Sequence, residues 1–193
     1  LDLAGELRFR VMVTTNGTLL SRRGELLYAS PAVEKVSISL HSFEGSGGQG
    51  LEDYLEQCVR FARRAAGAGK RCALRLWNLD GADTRGANRR NGEILSALER
   101  AFPRPWREGR RGTTLASNVF LEWGEKFDWP DLSVPPSDRP AFCYGLRDQV
   151  GVLWDGTVVP CCLDHEGDVT LGSLRTQTLE EILSNYQGFR KCV

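Results

Sequence analysis

The sequence predicts an α/β fold: an open or partial barrel of about four parallel strands with covering helices, followed by a small C-terminal module built on a β-hairpin and a short helix. Three observations predict it. β-rich runs alternate with helical periods across connections of a dozen or more residues, the length a parallel sheet needs. Four of the eight prolines (130, 135, 136 and 140) crowd residues 124–142 and mark a linker. Beyond them Cys143, Cys161, Cys162 and Cys192 gather around Asp155-Gly156 in the last quarter of the chain. The predicted boundaries are residues 1–123 for the partial barrel, 124–140 for the linker and 141–193 for the cysteine module.

Residues 9–16 (Phe-Arg-Val-Met-Val-Thr-Thr-Asn) form a β-rich run ending at the turn signal Asn16-Gly17. A short helix follows around 21–29. Residues 36–41, Val-Ser-Ile-Ser-Leu-His, alternate strictly and predict a second strand. A Gly/Ser-rich loop spans 42–50. From Leu51 the apolar residues fall at 51, 55, 58, 59 and 62, the period of an amphipathic helix that Gly67 and Gly69 end. Residues 72–77 make a third strand, 92–102 a helix stopped by Pro103, and 118–123 a fourth strand. Four strands are too few to close an eight-stranded barrel. In the module, Asp155-Gly156 between two apolar runs predicts a tight hairpin whose two central residues take positive φ. Thr178 and Glu181 form a capping box that opens a helix through about Asn185.

The 193 residues suffice for one core plus a small module, with 41% apolar and 26% charged content. Lys+Arg and Asp+Glu are both 25, so the formal net charge is zero. No basic tract exceeds pairs such as Arg89-Arg90 and Arg110-Arg111, which argues against a nucleic-acid partner. No apolar run reaches membrane-spanning length and no signal-peptide pattern occurs, so a cytoplasmic protein with no membrane partner is expected. The chain opens at Leu1 within patterned sequence and ends one residue after Cys192, and it reads as a fragment.

Strand alternation gives each strand a polar face. Ser37, Ser39 and His41 oppose Val36, Ile38 and Leu40. Ala73, Arg75 and Trp77 oppose Cys72, Leu74 and Leu76, and Thr14 and Asn16 oppose Val11 and Val13. The apolar faces pack on the helices. The polar faces converge near the carboxyl ends of the strands, where α/β proteins bind ligands. Asn16, Ser39, His41 and Arg75 there suit a ribose, an amino-acid carboxylate and an adenine edge, and a solvated sheet face is the alternative. Cys58 and Cys72 lie in apolar phases and read as small buried hydrophobes.

A hairpin brings its two flanks together, so Cys161, just after the second strand, approaches Cys143, just before the first. Thiolates suit an iron–sulfur cluster or zinc, both of which take four ligands. Cys192 supplies a third ligand. The fourth is Cys162, His165 (otherwise a surface histidine) or a residue beyond the C-terminus. Free thiols in a small β-module are the competing reading.

On these residues the chain resembles the radical S-adenosylmethionine (SAM) superfamily, in particular members with a SPASM or twitch extension. The resemblance rests on Cys143-x12-Gly156-x4-Cys161, on Trp154 to Asp164, and on Leu171-Gly-Ser-Leu174 followed by Thr178 to Leu183. Upstream it rests on Thr15-Asn16-Gly17-Thr18-Leu19-Leu20, Ser37 to His41 and Leu74-Arg75-Leu76-Trp77-Asn78. It implies a (β/α)6 TIM-like partial barrel that binds a [4Fe-4S] cluster and SAM, with Ser39 towards the ribose and Arg75 towards the amino-acid part. It also implies reductive cleavage of SAM to a 5′-deoxyadenosyl radical, an auxiliary [4Fe-4S] cluster in the extension, and an electron donor such as flavodoxin or ferredoxin. The substrate is a peptide, a protein or a small molecule. The chain departs from the family in three ways. It has no Cys-x3-Cys-x2-Cys, it has no glycine- and glutamate-containing motif ending a second strand, and Cys192 stands alone where members carry two closely spaced cysteines. This polypeptide by itself is therefore expected to be inactive. A non-catalytic iron–sulfur or zinc module that recognises a peptide, and a disulfide-stabilised α/β protein, are the other readings. Trp106, Trp123, Phe127 and Trp129 either line a peptide groove or fill the core.

Overall fold

The computed structural model describes residues 1–45, 50–79, 89–110, 112–125, 133 and 144–186. The chain divides into two compact units, Leu1–Lys126 and Phe127–Val193. The predicted linker, apart from its first two residues and Ser133, lies outside the described residues, as do Phe127 and Trp129.

The first unit runs α1 (Asp2–Glu6), β1 (Val11–Thr15), α2 (Leu20–Ala29), β2 (Val33–Ser39), a 3-10 helix (Leu40–Gly45), α3 (Leu51–Gly67), β3 (Arg71–Leu79), α4 (Arg89–Ala101), β4 (Arg107–Gly109), β5 (Gly112–Ala116) and β6 (Val119–Glu125). Its six-stranded sheet has the order β1-β2-β3-β6-β5-β4. The pairs β1–β2, β2–β3 and β3–β6 are parallel, as the long connections require, while β5 and β4 add an antiparallel flank. That flank is a departure from four parallel strands. Its sequence is charged and glycine-rich, and only Thr113 and Leu115 alternate inward. The two-residue connection to β6 is made at Asn118, whose φ of 59° an Asn side chain tolerates.

Val36, Ile38, Cys72, Leu74, Leu76, Val119 and Leu121 share one core with Leu55, Cys58, Val59, Phe61 and Ala62 of α3 and with Ile94 and Leu98 of α4. The 51-55-58-59-62 period of α3 puts those side chains on the sheet. Glu52 and Asp53 in its first turn and Arg64 in its last complement the helix dipole. Each fully buried Leu or Ile contributes roughly 1.5–3 kcal/mol, so this core dominates the unit's stability. Trp106 and Trp123 pack against it.

The second unit carries β7 (Gly151–Val152), β8 (Thr157–Val159), β9 (Gly172–Ser173) and α5 (Leu179–Ser184). The strands form an antiparallel sheet in the order β7-β8-β9. Val158, Leu171 and Ile182 make its core, with Leu146, Val150 and Tyr186 packed around them. The capping box is formed: the Thr178 hydroxyl accepts from the Glu181 amide at 3.2 Å, and the Glu181 carboxylate accepts from the Thr178 amide at 2.7 Å. The hairpin turn differs from the expected one. The Gly156 amide donates to the Leu153 carbonyl at 3.0 Å, so Trp154 and Asp155 are the central residues. Gly156 alone of the turn residues takes positive φ, 91°. A turn of ordinary hand followed by a left-handed glycine twists the ribbon as well as two left-handed residues do. The Asp155 carboxylate then accepts from the Thr157 amide at 2.9 Å.

Candidate functional site

Parallel register builds the first candidate site. Ser39 pairs with Arg75 and Arg75 with Glu122, so the three side chains form one row across β2, β3 and β6. Asn16 follows Thr15, the partner of Ile38, at the adjoining strand end. His41 lies on the 3-10 helix rather than on the strand. The Ser42 hydroxyl bonds back to the Ser39 carbonyl at 2.6 Å and offers the backbone an alternative to extension. The imidazole still returns to the row, with Nδ1 3.2 Å from both the Arg75 carbonyl and the Trp77 amide. One nitrogen serves one of these at a time: protonated it donates to Arg75, bare it accepts from Trp77. Burial, foremost, and the Arg75 charge hold the His41 pKa below its ordinary 6.5 against the pull of the carbonyl bond.

Helix α3 braces this edge from behind. The buried Tyr54 hydroxyl donates to the Asn16 carbonyl at 2.7 Å and lies 3.3 Å from the Ser39 carbonyl. Gln57 donates to the Gly17 carbonyl at 2.7 Å. The Asn16 side-chain oxygen is used locally, accepting from the Thr18 amide and hydroxyl at 3.2 and 2.9 Å. At the far end of β3, Asn78 and the wholly buried Asn91 exchange two side-chain amide bonds of 2.9 and 3.1 Å, tying the strand to α4.

The row is charged and well covered. Lys35 donates to Glu122 at 2.6 Å, and Arg75 Nε lies 3.9 Å from the same carboxylate, too far for a hydrogen bond. The Arg75 side chain is 12% exposed, with its guanidinium carbon 3.3 Å above the Trp77 ring centroid. Arg75 Nε and Trp77 Nε1 are buried and have no hydrogen-bond partner among the described residues. A buried donor left unmade costs about 1–3 kcal/mol, so this pair is suited to an oxygen acceptor. Sequence phase had put Trp77 beside Arg75. Glu122, Lys35, Tyr54 and Gln57 were missed, because each takes its place only through a neighbouring strand or helix.

Cys58 and Cys72 are free, buried thiols of the sheet core, and burial pushes each up to about 12. They stay protonated at neutral pH, unlike metal ligands.

The second candidate site is the end of β8. Cys161 is 9% exposed and Cys162 is exposed. Cys143 and Cys192 lie outside the described residues. The backbone at Cys161 is pinned on three sides. The Pro160 carbonyl accepts from the Leu146 amide at 3.2 Å, and the Cys161 carbonyl accepts from the Asp164 amide at 3.2 Å. Gly151 lies against Cys161, where a Cβ would come within 3.1 Å of the Cys161 carbonyl oxygen. Exposed His165 stands 3.1 Å from Glu166. Among the described residues no group of three or more His, Cys, Asp or Glu would hold a metal ion. The donor chemistry, two thiols at a rigid strand end, fits an iron–sulfur cluster; the remaining ligands of a four-thiolate set would come from outside the described residues.

A family model for the SPASM iron–sulfur cluster-binding domain matches residues 143–192. This C-terminal quarter of the chain is thus similar to a module that binds iron and sulfur. No curated protein and no solved structure matches the chain. Among the described residues no helix is long and apolar enough to cross a membrane.

Proposed function

We propose that residues 141–193 hold an auxiliary [4Fe-4S] cluster on Cys143, Cys161, Cys192 and Cys162, and that residues 1–123 are part of a radical SAM (β/α)6 barrel. The family-model match to residues 143–192 carries this reading, because it falls on the segment where Cys161 is fixed at the end of β8. Asn16, Ser39, His41 and Arg75 are the proposed SAM contacts. In support, Arg75 Nε and Trp77 Nε1 are buried donors without an acceptor among the described residues, and the Tyr54 hydroxyl holds the Asn16 carbonyl beside that of Ser39. Bound SAM and a reduced cluster would supply a 5′-deoxyadenosyl radical. The chain's own residues position the nucleoside and exclude water. The sequence contains no Cys-x3-Cys-x2-Cys, so SAM cleavage is not proposed for this chain acting alone. A cytoplasmic setting, a flavodoxin- or ferredoxin-type donor and a peptide, protein or small-molecule substrate complete the proposal.

Anaerobic reconstitution tests it. Iron and sulfide should load in near-equal amounts with a broad visible absorption, and the Cys143→Ala/Cys161→Ala double variant should lose it. Equal loading of the variant overturns the ligand assignment. A second reading, a non-catalytic iron–sulfur or zinc peptide-recognition module, is favoured by the exposed apolar side chains of the second unit, with Trp154 96% exposed at the hairpin tip. Zinc uptake without sulfide, together with peptide binding lost in Trp154→Ala, selects it.

A further inference from the structure

The loop that follows Cys161 and Cys162 is organised around one carboxylate. Asp164 Oδ1 accepts from the Gly167 amide at 3.1 Å and the Asp168 amide at 2.8 Å, and Oδ2 accepts from the Val169 amide at 3.0 Å. The Asp164 amide itself donates to the Cys161 carbonyl at 3.2 Å. One residue therefore closes the loop at both ends, its backbone on the cysteine and its side chain on the strand of amides leading to Leu171. The Leu171 amide donates to the Val158 carbonyl at 2.8 Å, so the return of the loop is anchored in β8. Three N–H groups on one carboxylate are charge-assisted bonds, stronger than neutral ones. The loop's own apolar side chains, Leu163 and Val169, are exposed, while Leu153 lies against Gly167.

We propose that Asp164 is the positioning residue of the cluster site: it fixes the Cys161–Val169 loop so that the two thiols are presented to iron without reorganisation. The inference rests on the iron–sulfur reading of the module. Asp164 touches no iron. It acts through the backbone, holding the cysteine carbonyl on one side and the turn on the other. Side chains that orient metal ligands typically contribute about 10–100-fold to metal retention.

The experiment uses the full chain, reconstituted anaerobically with iron and sulfide, in four forms: wild type, Asp164→Ala, Asp164→Asn and Glu166→Gln. Glu166→Gln removes the same charge from the same loop at an exposed side chain whose contact is His165 at 3.1 Å, while the loop amides of Gly167, Asp168 and Val169 go to Asp164. Three readouts are taken: iron and sulfide per chain, the rate of iron loss to a chelator, and amide exchange at Gly167, Asp168, Val169, Val158 and Leu171 in the apo protein. Asp164→Ala should release iron about tenfold faster or more, with Gly167 to Val169 exchanging freely while Val158 and Leu171 stay protected. Asp164→Asn keeps one acceptor and loses the other, so it should fall between. Glu166→Gln should match wild type. Iron release at the wild-type rate in Asp164→Ala, with the three amides unprotected, overturns the inference, as does an equal acceleration in Glu166→Gln. If Asp164→Ala also unprotects Val158 and Leu171, Asp164→Asn decides: faster iron loss with those two amides protected supports the inference, and a wild-type rate overturns it. Failure of the wild type to take up iron and sulfide instead removes the iron–sulfur reading beneath it.

Discussion

In the sheet unit, β2, β3 and β6 bury Val36, Ile38, Leu74, Leu76 and Leu121 against two long helices. In the C-terminal unit the core cluster among the described residues is Val158, Leu171 and Ile182. The larger unit is held by apolar area, and its polar groups sit where the strands end. The smaller one has too little area for that and relies on directional contacts: the Asp155 turn, the Asp164 loop and the Thr178–Glu181 box. Small folds commonly need a staple beyond their core, and a cluster on the cysteines would be one. The contrast teaches that the same class of substitution means different things on the two sides of the chain.

The largest effect expected breaks the comparison directly. Leu74→Ala and Ile182→Ala each remove a buried aliphatic side chain at about 2–5 kcal/mol. In the sheet unit the loss should lower the unfolding midpoint while leaving a cooperative transition. In the C-terminal unit it should abolish protection of the Val158 amide altogether in the apo protein. Residue-resolved amide exchange separates them, and persistent Val158 protection in Ile182→Ala would show that the small core is not what holds the module.

Next come the polar braces. Tyr54→Phe leaves the Asn16 carbonyl without its donor, at about 1–3 kcal/mol. Thr178→Ala removes an N-cap, at about 0.5–2 kcal/mol. Denaturant titration should find the Tyr54 change in the sheet transition and the Thr178 change in the module. On the proposal that this edge takes SAM, Tyr54→Phe should weaken SAM binding more than its stability loss alone explains, because the Asn16 carbonyl loses its donor beside Ser39.

The smallest and sharpest difference is in acid. Burial holds the His41 pKa below 6.5, so its contribution is complete above 6.5 and is lost as pH falls through the lower folded value. The Asp155 and Glu181 carboxyls lie below their ordinary 3.8 and 4.5, first because of the Thr157 and Thr178 amides. Their contributions hold above those values and go only as pH drops through the lowered ones. Acidification should therefore loosen the sheet edge before the module. Loss of Thr157 amide protection above pH 6 would contradict this order.

Where apolar alternation and helical period coincide, the fold was legible. The Val36-Ile38-Leu40 and Cys72-Leu74-Leu76 phases located β2 and β3, whereas the pairing of Ser39 with Arg75 comes from the parallel register, which phase alone does not set. β4 and β5 were hidden because β5 forms against β6 and β4 only against β5, so neither has a partner to read until β6 is in place. β9 is two residues, Gly172 and Ser173, with no period to read. Tyr54 falls outside the 51-55-58-59-62 apolar period, and what its hydroxyl reaches depends on strand ends 38 and 15 residues away. Asp164 is one of three acids in its loop, with Glu166 and Asp168, and nothing in the sequence singles it out as the one on which three amides converge.

The paired amides of Asn78 and Asn91 bear on how the molecule ages. Asn91 precedes Gly92, and Asn16 precedes Gly17, the dipeptide in which the next backbone nitrogen attacks the side-chain carbonyl most readily to form a succinimide. Asn91 is sealed in the interior with both ends of its amide engaged, whereas Asn16 is exposed at a turn. Spontaneous deamidation on storage will convert the residue at the proposed nucleoside edge long before the one that locks the strand to its helix.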